Sequence, residues 1–68
     1  MRLLKHHRGM TVHLYLEGVT FQGVLVDVAG DSVSLRGVAA VTDAGTADLP
    51  GPVVVPVASI AWAAVIPS

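Results

Sequence analysis

Three cations recur at three-residue spacing at the start of the chain: Arg2, Lys5 and Arg8. On a helix, residues three apart lie roughly along one face. With His6 beside them they present donors and positive charge suited to phosphate oxygens. Every acid comes later, at Glu17, Asp27, Asp31, Asp43 and Asp48, and only Arg36 offsets them. The net charge of −1 therefore hides a basic head on an acidic body.

Other residue groups are poorer candidates. His6, His7 and His13 are metal-ligand types, but neighbouring helix positions diverge and no acid or further histidine sits four residues on. No metal and no cofactor is expected. Asp27 and Asp31 flank a Gly-containing turn, and no nucleophile or base accompanies them, so general acid–base catalysis lacks its second partner. An enzyme is not expected. Tyr15 and Trp62 could stack on bases. With three aromatic residues in the chain, packing in the core or against another subunit is the better use.

These side chains must be positioned by a very small scaffold. Sixty-eight residues allow one domain, 1–68, which buries only about 60% of its unfolded surface. There is no cysteine, so disulfides cannot supplement the core; a reducing compartment is expected, and the cytoplasm is the expected location. Hydrophobic residues make up 53% of the chain and charged residues 13%, more apolar surface than one small core can hide. Association with further copies is the remaining route to stability. No membrane partner is expected: the uncharged stretch 49–68 is interrupted by Pro50, Pro52, Pro56 and Pro67 and reads as two buried strands.

Residues 2–8 suit a short helix ended by Gly9, docking through Leu3 and Leu4. Val12, Leu14 and Leu16 alternate with Thr11, His13 and Tyr15, the period of a half-buried strand. Glu17-Gly18 turns the chain into a second strand, 19–28, in which Gly23 permits a bend between Phe21 and Leu25. After Ala29-Gly30-Asp31 a third strand runs 32–38, with Val33 and Leu35 inward. Residues 39–51 read as an irregular loop. A fourth strand at 53–55, a turn at 56–59 and a fifth strand at 60–66 complete an all-β, five-stranded, SH3-like small barrel with a short N-terminal helix (1–9 helix, 10–66 barrel).

The stretch Val12-His13-Leu14-Tyr15-Leu16-Glu17-Gly18, followed by Phe21-Gln22-Gly23-Val24-Leu25, resembles the Sm-like family, which includes the Hfq-like proteins. Ile60 through Ser68 is similar to the family's last strand. The resemblance implies an Sm-like barrel, a homo-oligomeric ring and RNA binding. In such rings the fourth strand of one subunit pairs with the fifth strand of the next, which would place Val53, Val54, Val55, Ile60 and Trp62 in the subunit interface. The family's RNA pocket does not carry over. The loop Asp27–Val33 lacks the asparagine of the Asp-x-x-x-Asn motif, and Pro56-Val57-Ala58-Ser59 stands where relatives have Arg-Gly or Lys-His. The expectation is a non-catalytic ring of about five to seven subunits that binds RNA or another polyanion through Arg2, Lys5, His6 and Arg8. The alternative is a structural or protein-interaction oligomer, such as a bacteriophage or bacterial assembly component, with no nucleic-acid role.

Overall fold

The structure, a computed structural model, describes residues 6–66. Six strands follow in order: β1 (Thr11–Leu16), β2 (Val19–Val28), β3 (Ser32–Thr42), β4 (Gly45–Leu49), β5 (Val53–Pro56) and β6 (Trp62–Ile66), with a 3₁₀ turn at Val57–Ser59. They form one antiparallel sheet in the order β4-β3-β2-β1-β6, with β5 also paired to β3.

The first strands follow the alternation in the sequence. Val12 and Leu14 are fully buried, while Tyr15 and His13 lie on the other face. Val33 and Leu35 point inward and Arg36 outward. Together with Leu25, Val28, Val38 and Val55 these residues make the core. Leu16, Phe21, Leu49, Val53, Val57, Ile60, Ala63 and Val65 pack around it.

The expected count of five strands is corrected to six, because residues 39–51 are not an irregular loop. β3 continues to Thr42 and returns as β4, with Thr42 opposite Gly45 and Val38 opposite Leu49. The physical reason lies in β2. Its first residues need partners on the side away from β1, and β3 supplies Val41, Ala40 and Ala39 to Thr20, Phe21 and Gln22. The turn is closed by the Thr42 hydroxyl, which accepts from the Ala44 amide at 3.2 Å. β4 and β5 lie end to end along β3 as one strand broken at Pro50-Gly51-Pro52, where Gly51 has φ +73°. The expected strand 60–66 begins at Trp62, after the Ala61 amide donates to the Tyr15 carbonyl at 2.7 Å. The expected fourth strand is one residue longer than 53–55.

Two glycines work by different means. Gly18, in the β1–β2 turn, has φ +80°, with nothing within 4 Å of where a Cβ would stand. Its value is conformational only. Gly18→Ala should therefore cost about 1–2 kcal/mol, read as a lower urea midpoint at unchanged slope. An unchanged midpoint would show that the turn relaxes freely. Gly23 is buried in the middle of β2, and a Cβ there would meet the Arg36 carbonyl oxygen and Val38 Cγ2, each at 3.0 Å. The β2–β3 register shifts at this point, between Gln22 and Val24. This is the bend that curls the sheet.

Of the expected N-terminal helix, residues 1–5 lie outside the described residues. His6 and His7 form a single 3₁₀ turn, so among the described residues no α-helix is present.

Candidate polyanion-binding and assembly surfaces

The segment leading into β1 is clamped to β2 by its backbone. Gly9, with φ +86°, donates its amide to the Leu25 carbonyl at 2.8 Å, and the Leu25 amide donates to the Met10 carbonyl at 2.9 Å. The Met10 amide closes the preceding turn on the His7 carbonyl at 3.0 Å. His6 and Arg8 are thereby fixed beside one end of the barrel, both exposed. Arg8 Nη1 stands 3.8 Å from Asp27 Oδ1, with both side chains about 60% exposed. A pair in that setting holds little free energy, on the order of 0–1 kcal/mol. An arriving phosphate can compete for the guanidinium. Arg2 and Lys5, the other two members of the basic head, lie outside the described residues.

Arg36, the remaining cation, lies two strands away on β3. It sits in the row Thr11–Val24–Arg36, at the strand level where the N-terminal segment enters β1. Its side chain is exposed. Counting residues back from the 29–31 turn does not find this row, because the register shift between Leu25 and Asp27 displaces the pairing by one residue.

The β2–β3 and β5–β6 connections meet in space. The Val57 amide donates to the Asp31 carbonyl at 2.9 Å, Ser32 pairs with Pro56, and the Ala29 amide donates to the Ser32 carbonyl at 2.9 Å. The polar side chains on these connections are those of Asp31, Ser32 and Ser59, with no side-chain amide to read a base edge. Among the described residues no polar or charged side chain is buried, and no three His, Cys, Asp or Glu side chains gather as metal ligands. No helix among them is long and apolar enough to cross a membrane.

The expected interface residues divide. The Val55 side chain is buried in the chain's own core, so it can contribute to a subunit contact only through its backbone. Val53 and Ile60 are half-buried and pack against that core. Val54 and Trp62 are open to solvent, at 62% and 60%. Trp62 is thus not a core residue. It lies flat on Tyr15, with ring centroids 3.9 Å apart and planes 12° from parallel. β5 pairs only with β3, and β6 only with β1, so each leaves one edge without a strand partner among the described residues.

Compared with solved structures, this arrangement is that of a heptameric archaeal Sm protein discussed for its bearing on the eukaryotic snRNP core. The match has a TM-score of 0.84 and covers 98% of this chain and 100% of that one. The chain has the Sm fold. Sequence identity across the match is 17%, so the likeness is one of fold. No protein-family model matches the sequence, and neither does any curated protein. The barrel expected from the Val12–Leu25 stretch is present, and in this chain it is built from six strands rather than five.

Proposed function

We propose that the chain is the repeating subunit of a closed, non-catalytic, homo-oligomeric ring of about five to seven copies. The ring binds RNA or a similar polyanion on the face that carries Arg2, Lys5, His6 and Arg8. The observation that supports assembly most directly is the pair of open strand edges on one sheet, β5 and β6, in a stretch with no charged residue from 49 to 66. Natural proteins protect such edges with charges, bulges or a cover. Here another copy is the cover. Two different edges meeting head to tail make a heterologous contact, which must close into a ring or run on as a filament.

Repetition around the ring multiplies the basic head. Three or four cations are a weak site on one subunit and a positive rim on several, which attracts phosphate backbones. The pocket loops supply Asp27 and Asp31 and no base-reading amide, so binding falls on the backbone and has little sequence preference. The same two aspartates favour the second reading, a structural ring without a nucleic-acid role.

Light scattering at micromolar concentration should give a single mass several times 7.0 kDa. Anisotropy with a labelled single-stranded RNA should show binding at low salt. A 7.0 kDa particle would remove the ring reading. A ring with no binding up to high micromolar RNA would favour the structural one.

A further inference from the structure

The two most exposed large apolar side chains stand on the two open edges. Val54 is 62% exposed on β5, and Trp62 is 60% exposed on β6. Val54 points outward because its neighbours Val53 and Val55 lie opposite Leu35 and Val33, on the core side. Trp62 points outward because Ala63 and Val65 face the core. The indole is already held in place by the stack on Tyr15, and His13 meets Tyr15 edge-on with centroids 6.3 Å apart. A ring fixed in this way loses little further freedom when something packs on it. Tryptophan and tyrosine are also the side chains that most often anchor protein contacts.

We propose that Val54 of one copy packs on the Tyr15–Trp62 stack of the next, making this aromatic pair the centre of the subunit contact. The inference rests on the ring reading and goes beyond it by naming the docking seat and its occupant. A second copy is the fitting occupant for three reasons. The knob and the plate lie on opposite free edges of one sheet, so every copy carries both halves of the contact. Val54 and Trp62 lie in a stretch that is uncharged from 49 to 66, so neither brings a charge that must be desolvated. The backbone edges beside both side chains need strand partners, which the same approach supplies.

Trp62 is the only tryptophan, so its emission reports on this site alone. In the assembled wild type it should be blue-shifted and shielded from acrylamide. Val54→Asp and Trp62→Gln should each give a 7.0 kDa single chain with unchanged circular dichroism. In Val54→Asp the emission should shift to the red. An equimolar mixture of the two should form a two-chain species and stop there, because each variant keeps the half that the other lacks. If Val54→Asp does not fold, Val54→Thr keeps the shape and should weaken association about tenfold or more. A wild-type oligomer with a fully quenchable Trp62, or a Trp62→Gln variant of undiminished mass, places the contact centre elsewhere and leaves the ring standing. A monomeric wild type overturns both.

Discussion

Gly23→Val should abolish the fold. The residue is buried in β2 and has no positive φ, so its role is not conformational freedom. It is space. An added Cβ would lie 3.0 Å from the Arg36 carbonyl oxygen, 3.0 Å from Val38 Cγ2 and 3.4 Å from Leu35 Cβ. Val38 could turn its methyl away, but the carbonyl belongs to the β3 backbone, where Arg36 is paired with Val24. Moving it drags Leu35 and Val38, both core residues, out of register. Overpacking by one or two methyl groups usually costs about 1–3 kcal/mol, which is the expectation for Gly23→Ala. Valine adds two more methyl groups against the same wall. At about 0.05–0.15 kcal/mol per residue, a domain of this size has only some 3–10 kcal/mol to lose. Circular dichroism with urea titration, run at several protein concentrations because assembly adds stability by mass action, should show Ala weakened and Val without a cooperative transition. Wild-type melting of the valine variant would mean that the bend is not a close-packed feature.

The bend and the residues around it also show where the sequence is readable and where it is not. β1 is legible because one face is wholly inside: Val12 and Leu14 are buried, and the residues between them are polar or aromatic. Gly23 is legible as a bend because a glycine between two inward positions of a strand has few other uses. The β3–β4 hairpin is not legible from its own residues. Ala39, Ala40, Asp43, Ala44, Gly45, Ala47 and Asp48 are weak strand formers, and β4 is mostly exposed, so no alternation marks it. Its pairing is imposed by β2, whose ten residues outrun a third strand of seven. That mismatch of lengths was the available clue. Trp62 misleads in the other direction. An uncharged strand suggests burial for all its residues, yet the period of two puts Ala63 and Val65 inside and leaves the largest side chain out. Arg36 is hidden by the register shift between Leu25 and Asp27, which no count along the chain anticipates.

Changing Arg2, Lys5 and Arg8 together to alanine should lower affinity for single-stranded RNA roughly tenfold to a hundredfold while leaving the assembly intact. The fold should survive because the core, from Val12 to Val55, includes none of the three side chains. The backbone clamp of Gly9 and Met10 on Leu25 uses none of the three side chains. Losing the Arg8–Asp27 pair costs little, since both groups are largely exposed. Affinity should fall because phosphate contacts release counterions, and each subunit loses three of its four cations. Salt dependence separates this from a general loss of folding. For single strands log K falls with log salt at about −0.7 per neutralised phosphate, so the wild type should show a steep slope and the triple variant a shallow one. Arg36 remains at the same strand level and should account for the residual binding, which Arg36→Ala on the triple background should remove. Sequence preference should be slight in every variant, because backbone contacts carry no sequence information. Undiminished affinity in the triple variant, with an unchanged salt slope, would place the polyanion surface away from the basic head.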